Sequence, residues 1–222
     1  MKTKRIKSAF TMIELVFVIV VLGILASLAM GRMDRDLKQE AASTILSHIR
    51  LAQQLALRDN KHRSDNNKKW QTSYWRFEYE KCDGVGVDRY IYRVGSDSDL
   101  SGGINKLEAA IDPINGKYIW ADGVCNNFDD LESDESRDTY LYGRFGVEHI
   151  SHSTTSGSCT SQNIGFDFLG RPHTGIKTYK TSNNSLSQKI MTKDCVLTFT
   201  MKDGDSFKIK IEAETGHAYI EG

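Results

Sequence analysis

The feature that most constrains this chain is an apolar run of 21 residues, FTMIELVFVIVVLGILASLAM, at positions 10–30. Because an α-helix rises about 1.5 Å per residue, a helix of this length covers the roughly 30 Å hydrocarbon core of a bilayer. Thirteen of the residues are Leu, Ile, Val or Phe. Each favours insertion by about 0.3–0.6 kcal/mol, and together they outweigh the roughly 3 kcal/mol that one charged residue costs. The run therefore predicts a transmembrane helix over residues 10–31.

Charged residues at the start of the run predict its orientation and a partner. Four basic residues precede the run: Lys2, Lys4, Arg5 and Lys7. They favour an N-terminus in the cytoplasm and a C-terminal part outside it. Glu14 is the only ionisable side chain within the run, and an intramembrane carboxylate normally has a function and a partner. A cut between Ala9 and Phe10 would create an α-amine that is largely cationic at neutral pH, and we expect this amine to pair with Glu14 of a neighbouring chain.

The segment KSAFTMIELVFVIVVLGILA, residues 7–26, resembles the class III signal of type IV prepilins and type II secretion pseudopilins. The resemblance implies a prepilin leader over residues 1–9 and cleavage and N-methylation of Phe10 by a prepilin peptidase. It also implies a single-pass protein of the bacterial inner membrane that joins a periplasmic filament with other pilin or pseudopilin subunits. The family usually has Gly before the cut, whereas this chain has Ala9. Because Ala is also small, we expect processing to survive at a lower rate.

Two other interpretations of the apolar run remain open. A signal peptidase accepts small residues such as those of SLA at 27–29, and cleavage there would release a soluble periplasmic binding protein that starts at Met30. The carboxylate, the length of the run and the helical pattern beyond it argue against this alternative. A simple single-pass anchor is the second alternative, and it leaves Glu14 without a role.

The sequence after the run predicts a second, amphipathic helix over residues 32–59. Apolar residues recur there at steps of three and four: Leu37, Ala41, Ile45, Ile49, Ala52 and Leu55. This spacing places them on one face of a helix, which requires a covering layer. Residues 60–69 are polar and Asn-rich and predict a linker, and residues 70–222 predict a β-rich periplasmic domain.

Most segments of the C-terminal part alternate apolar and polar residues, as half-buried strands do. They are WRFEYEK, RYIYRVGS, TYLYGRF, NIGFDFLG, CVLTFTM, SFKIKIEA and HAYI. The clearest hairpin turns at Asp203 and Gly204. The sequence therefore predicts an α+β fold, in which a long N-terminal helix packs against an antiparallel β-sheet domain. SHIRLAQQLALRDN, NIGFDFLGRP and FKIKIEAETGHAYI also resemble minor pseudopilin H of type II secretion and DNA-uptake minor pilins.

The four cysteines all lie in the part predicted to be outside the cytoplasm: Cys82, Cys125, Cys159 and Cys195. Disulfides persist there, and four cysteines allow three connectivities. The shorter loops favour Cys82 with Cys125 and Cys159 with Cys195. Free buried thiols are the alternative, and the absence of a CxxC spacing argues against a redox or zinc motif.

The segment DSDLSGGINKLE, residues 97–108, fits the calcium-loop template D-x-D-x-S-G-x-I-x-x-x-E. Calcium takes six to eight oxygen ligands, and the template supplies Asp97, Asp99, Ser101, the Gly103 carbonyl, Asn105 through water and Glu108. A strand-like segment precedes the loop and NKLEAAI predicts an exiting helix, so the pattern is half of an EF-hand. A metal-free acidic hairpin loop is the alternative. A second acidic run at 129–135 lacks the glycine and predicts a solvated loop.

The stretch from 169 to 193 is basic, with five cations and no acid: Arg171, Lys177, Lys180, Lys189 and Lys193. Such a loop could contact DNA phosphates. The alternative is a solvated loop or a contact with another pilin. Loss of the leader leaves 25 basic and 29 acidic residues, so the mature chain as a whole is not charged like a nucleic-acid binder.

The sequence offers no enzymatic site. His149 and His152 lie near Cys159 but match no metal or catalytic motif, and no phosphate-binding glycine loop or nucleophile elbow is present. We therefore expect a structural subunit, a minor pseudopilin of a type II secretion or type IV pilus-like filament. The alternative is a DNA-binding minor pilin for natural transformation. The expected partners are other subunits, the prepilin peptidase, the inner membrane, and secreted cargo or DNA.

Overall fold

A computed structural model describes residues 11–63, 68–82, 89–121, 131–177 and 189–222. The longest element is helix α1, Met12–Arg58. A short helix, α2, spans Leu141–Phe145, and 3₁₀ helices occupy Lys68–Ser73, Lys106–Glu108 and Arg137–Thr139. The chain divides into two units, residues 1–37 and 38–222.

In the first unit, α1 exposes its apolar side chains on all sides. Every described side chain from Met12 to Ser27 is exposed, and the large apolar ones range from 37% exposed at Val21 to 86% at Met12. This part of the helix therefore has no covering layer within the described residues. Among those residues, no helix combines the length and the hydropathy that a membrane span requires.

In the second unit, α1 buries one face. Ala41, Ile45, Ile49 and Ala52 are completely buried, as the spacing of the apolar residues predicts. Leu55 is only half-buried, and the neighbouring Ala56 is buried instead. The buried positions of α1 thus shift by one residue in its last turn.

Two four-stranded antiparallel sheets cover this face. Within the described residues the strands are β1 Trp75–Lys81, β2 Tyr90–Gly95, β3 Val147–His152, β4 Asn163–Phe166, β5 Pro172–Thr174, β6 Cys195–Met201, β7 Ser206–Ile211 and β8 Ala218–Glu221. The strand orders are β2-β1-β4-β5 and β3-β6-β7-β8. Apolar side chains of both sheets and of α1 form one hydrophobic cluster. The predicted α+β fold is therefore confirmed.

The β6–β7 hairpin forms where the alternating pattern predicts it. Leu197 pairs with Ile209 and Phe199 with Phe207, and all four side chains face the core. The turn needs Gly204, whose φ of 87° lies in the left-handed region that glycine adopts at little cost. Residue spacing and turn chemistry therefore agree in this part of the sheet.

The strand prediction for TYLYGRF is wrong, because residues 137–145 form a 3₁₀ helix followed by α2. Leu141 and Phe145 are four residues apart and both buried, which is the spacing of one helical face. Strand β3 was not predicted from the sequence. Its register shifts between Val147 and His149, and such a bulge breaks the alternation that marks a strand.

Candidate functional site

The N-terminal signal is described only from Thr11 onward, so Ala9 and Phe10 lie outside the described residues. Glu14 accepts hydrogen bonds from the backbone N–H of Thr11 at 2.8 Å and from the Thr11 hydroxyl at 2.7 Å. The Glu14 N–H donates to the Thr11 hydroxyl oxygen at 3.4 Å. This reciprocal pattern is a capping box, in which Thr11 caps α1.

The sequence analysis missed this role of Thr11, although the T-x-x-E spacing is readable in the sequence. It assigned Glu14 only to a partner on another chain. Within the described residues, Glu14 has hydrogen bonds to Thr11 and no ion pair. A hydroxyl and an amide stabilise a carboxylate but leave its negative charge in place, so a cationic partner is still compatible with this geometry.

The predicted calcium loop brings three carboxylates together. Oxygens of Asp97, Asp99 and Glu108 all lie within 4.8 Å of one another. The loop follows β2, and its base is closed by a bridge between Gly95 and Ala109. This arrangement could hold a hard divalent cation, because such ions prefer carboxylate oxygens.

Backbone donors hold the three carboxylates inside the loop. Asp97 accepts the N–H groups of Ser101 and Gly102, each at 2.9 Å. Glu108 accepts from Ser98, Asp99 and Asn105. The chain reverses at Leu100 and Gly102, whose φ angles are 61° and 100°. A left-handed conformation costs a non-glycine residue roughly 1–2 kcal/mol, so the carboxylate hydrogen bonds offset strain at Leu100.

The other predicted ligands are less clearly placed. Ser101 contacts the cluster through its backbone N–H, which also donates to Asp99 at 2.9 Å. The Asn105 amide nitrogen donates to Asp99 at 3.0 Å. No described contact involves the Gly103 carbonyl, which stays a predicted ligand. The predicted exiting helix is limited to Lys106–Glu108, because Ala109 pairs with Gly95 at the edge of β2.

Arg76 supplies positive charge near the loop, but it shares this charge with another carboxylate. Burial raises the pKa of Asp97, whose side chain is completely buried. The pKa of Asp99 is lowered, first by hydrogen bonding to Ser101. Arg76 donates to the Gly102 carbonyl at 3.3 Å and attracts Asp97. The same guanidinium already pairs with Glu78 at 3.0 Å, so it compensates the three carboxylates only in part.

In the second acidic run, three carboxylates pair with Lys106. Glu132 and Asp134 each lie 2.5 Å from the Lys106 Nζ, and Glu135 lies 3.2 Å from it. Lys106 therefore occupies the position that a metal ion would otherwise take. Glu132 and Asp134 are exposed, as the prediction of a solvated loop requires, whereas Glu135 is buried.

Most described cations of the basic stretch already have partners in the chain. Lys177 pairs with Glu78 at 2.5 Å, and Arg171 pairs with Asp167 at 2.8 Å. Lys189 donates to the Gly175 carbonyl. Lys193 is exposed, and Lys180 lies outside the described residues.

Asp167 is a buried anchor for the loop that carries Arg171. Burial raises the pKa of the Asp167 carboxyl, but hydrogen bonds from His173 and Arg171 outweigh this effect and hold it at about 2. The ion pair of Arg171 is therefore a fixed part of the fold.

One of the two predicted disulfides is present within the described residues. Cys159 and Cys195 are bonded and completely buried. Closing a loop of 36 residues stabilises the fold by about 4 kcal/mol in the chain-entropy account. Cys82 is buried at the end of β1, but Cys125 lies outside the described residues, so that pairing stays a prediction.

His149 and His152 of β3, which match no metal or catalytic motif, contact tyrosines of the other sheet. The Tyr79 hydroxyl lies 2.6 Å from the His152 Nδ1, and the Tyr90 hydroxyl lies 3.3 Å from the His149 Nδ1. A third histidine, His48 of α1, is buried, and its Nε2 has no hydrogen-bond partner. Burial lowers the pKa of His48, and the attraction of Asp112 opposes this effect.

Comparison with known families identifies the N-terminal region. The prokaryotic N-terminal methylation motif matches residues 4–30. The chain thus carries a type IV pilin-like signal, which implies processing by a prepilin peptidase and assembly with other pilin subunits. The α+β architecture is consistent with the type IV pilin fold. Comparison with curated proteins and with solved structures gave no match.

Proposed function

We propose that this protein is a structural subunit, specifically a minor pseudopilin, of a type II secretion or type IV pilus-like filament. The observation that supports this function is the methylation motif at 4–30 on a helix whose apolar side chains are exposed on all sides from Met12 to Ser27. Exposed apolar surface of this extent requires a cover. Lipid covers the helix before assembly, and helices of neighbouring subunits cover it in the filament.

Glu14 gives this association its register in our proposal. After the cut before Phe10, the new α-amine of one subunit pairs with the Glu14 carboxylate of its neighbour. A charge-assisted hydrogen bond contributes about 1.5–3 kcal/mol, which corresponds to a factor of roughly ten or more in assembly. The capping box explains how α1 begins, whereas the charge explains how subunits align.

The capping box makes Glu14→Gln the informative variant and Glu14→Ala its companion. Glutamine also serves at this position of a capping box, so Glu14→Gln removes the charge and keeps the cap. Filaments sheared from cells that produce each variant are weighed against the membrane-bound pool. We expect both variants to lower filament yield about tenfold or more. Normal yield with Glu14→Gln would show that the cap alone matters and would remove the counter-ion from the proposal.

The assignment as a minor subunit is supported by the long β2–β3 connection, residues 96–146. This connection contains the predicted calcium loop, residues 97–108, and helix α2, which are additions to the two sheets. Mass spectrometry of purified filaments tests this assignment, because a minor subunit is present at a small fraction of the principal one. Equal or greater abundance of this chain contradicts the assignment.

We also propose that the 97–108 loop binds Ca²⁺. The convergence of Asp97, Asp99 and Glu108 within 4.8 Å supports this proposal. A hard cation would relieve the repulsion among these carboxylates. In the metal-free alternative, the loop is held by its backbone hydrogen bonds alone.

Titration calorimetry of the detergent-solubilised full chain distinguishes the two alternatives. We expect saturable Ca²⁺ uptake at or below millimolar concentrations and its loss in Asp97→Asn and Glu108→Gln. Glu132→Gln is the matched control, because it removes a carboxylate that lies outside the 97–108 loop and pairs with Lys106. The absence of uptake, or uptake that all three variants share, contradicts the calcium proposal.

DNA capture is the alternative function, and the basic stretch 169–193 is the feature that favours it. Lys177 and Arg171 are held by Glu78 and Asp167, so Lys180 and Lys193 are the informative positions. Reversal of both charges lowers salt-dependent DNA binding if the stretch contacts phosphates. If the full chain binds no DNA, or if binding is unchanged, the DNA function is excluded.

A further inference from the structure

Among the described residues of the 38–222 unit, two groups of exposed apolar side chains lie on the surface. The first, which we call the basic patch, consists of Leu57, Phe168, Leu169, Arg58 and Arg171. Leu57 is 54% exposed and Leu169 is 56% exposed. The turn that carries Leu169 lies against α1, because a Cβ on Gly170 would be 3.2 Å from the Leu57 Cδ2. The members of this patch are therefore neighbours.

The charge around this first group is positive. Segments 57–63 and 167–171 contain four basic residues and two acidic ones. Both acids have partners, since Asp59 pairs with Lys61 and Asp167 with Arg171. Arg58 is exposed in the last turn of α1, and the Arg171 side chain is 43% exposed.

The second group, which we call the acidic patch, consists of Leu107, Ile111, Ile114, Glu132 and Asp134. Its three apolar side chains are 85%, 57% and 82% exposed, more than those of the basic patch. Such exposure at three large aliphatic residues of one surface region indicates a binding surface.

Short contacts join the segments of the acidic patch. Ile111 bridges Tyr118, and the Tyr118 N–H donates to the Asp134 carbonyl at 2.8 Å. Lys106, next to Leu107 in the chain, binds Glu132 and Asp134. Segments 106–118 and 131–136 contain five acidic residues and two lysines, and two of the acidic residues, Asp112 and Glu135, are buried. The exposed charge is negative, because the Glu132 and Asp134 side chains are 72% and 52% exposed, whereas that of Lys106 is 19% exposed.

We propose that the basic patch of one copy docks on the acidic patch of a second copy of this chain. Each patch combines exposed apolar side chains with a surplus of one charge, and the two surpluses are opposite in sign. Unlike patches that meet in this way form a heterologous contact, which continues from copy to copy unless a ring closes. The contact therefore suits a filament, and it gives this subunit consecutive positions there even if it is the less abundant component.

This inference rests on the proposed filament function, because the membrane provides the condition under which the contact forms. Small apolar patches with exposed charges bind weakly in free solution. Chains that are anchored side by side have a much higher effective concentration, and weak contacts between them become populated. The contact is therefore measured in membranes.

Photo-cross-linking of the full chain in phosphatidylethanolamine–phosphatidylglycerol vesicles tests the docking. The photo-reactive residue p-benzoylphenylalanine replaces Leu169 in one sample and Ile114 in another, and a mixture of isotope-labelled and unlabelled chains separates contacts between copies from contacts within one. We expect the probe at 169 to label residues 104–118 or 131–136 of the second copy. We expect the probe at 114 to label 57–63 or 166–171. A probe at Lys208, on the exposed side of β7, is the control and yields no adduct between copies.

Charge reversal sharpens the test. Arg58→Glu alone and Glu132→Lys alone each lower the yield of cross-linked dimer, by about fivefold. The chain with both changes restores the yield, because the two patches have exchanged the signs of their charges and still complement each other. Lys208→Glu, the matched control, leaves the yield unchanged. Thermal melting and the intact Cys159–Cys195 bond verify that each variant is folded.

Several outcomes overturn the inference. They are adducts that join two basic patches or two acidic patches, no adduct between copies, and failure of the double reversal to restore the yield. These outcomes leave the filament function intact as long as assembly still depends on Glu14. Loss of that dependence, in contrast, affects the filament function and not the patch contact.

Discussion

The two halves of α1 are built from the same kind of secondary structure but are stabilised in opposite ways. Residues 38–58 place a buried stripe of Ala and Ile against two sheets. Residues 12–27 have no buried residue. Within the described residues the first half has no cover, whereas the second half is a component of an ordinary hydrophobic core. A change in the second half should therefore alter folding, and a change in the first half should alter assembly.

The largest expected effect is the loss of the Cys159–Cys195 bond, which belongs only to the 38–222 unit. We expect Cys159→Ala with Cys195→Ala to lower the free energy of unfolding by about 4 kcal/mol, because the unfolded chain regains the entropy of a 36-residue loop. Urea denaturation of the full chain in detergent measures the change. A loss below about 1 kcal/mol would show that the bond does not constrain the unfolded chain.

Truncation of a buried residue tests the comparison directly. Ile45 is completely buried, and we expect Ile45→Ala to lower the free energy of unfolding by about 3 kcal/mol through lost burial and a cavity. Ile19→Ala is the matched control, since Ile19 is 57% exposed and should leave the unfolding transition unchanged. Equal losses in the two variants would contradict the separation of roles within α1.

The capping box of Thr11 and Glu14 stabilises the first turn in the exposed half of α1, and we expect its loss to have a smaller, local effect. We expect Thr11→Ala to destabilise the first turn of α1 by about 1 kcal/mol, because the two hydrogen bonds that the Thr11 hydroxyl makes with Glu14 are lost. Faster amide hydrogen exchange near the start of α1 measures the effect, and Thr11→Ser preserves protection. A change in the unfolding of the 38–222 unit would contradict a purely local role.

The last expected effect concerns pH and the buried half of α1. Burial lowers the pKa of His48 in the folded chain, so the unfolded chain binds this proton first as pH falls. The stability is therefore complete above pH 6.5 and declines as pH falls toward the lower folded pKa, by at most about 1.4 kcal/mol per pH unit. We expect His48→Gln to reduce this decline in denaturation curves measured between pH 7 and pH 5. An unchanged pH profile would show that His48 is not its source.

The sequence predicted the elements whose pattern is local and missed those that depend on distant residues. The stripe of α1 and the β6–β7 hairpin follow from periodicity. Leu141 and Phe145 were assigned to a strand because alternating tyrosines hid their helical spacing. The bulge in β3 had the opposite effect, since it removed the alternation from a real strand.

The candidate sites show the same difference between groups that are close in the sequence and groups that are distant. The three carboxylates of the calcium loop lie close together in the chain, so the template could predict their meeting. The partner of Lys177 could not be predicted, because Glu78 is 99 residues away. The role of Thr11 was predictable, because its spacing to Glu14 is that of a capping box.

The Cys159–Cys195 bond has a further consequence for the stretch between its two ends. That stretch contains the basic residues from Arg171 to Lys193. If a protease cleaves one peptide bond anywhere between the two cysteines, both fragments remain covalently joined and migrate as one species until a reductant is added. The surface of this stretch can therefore be nicked without release of β6, β7 and β8 from the rest of the chain.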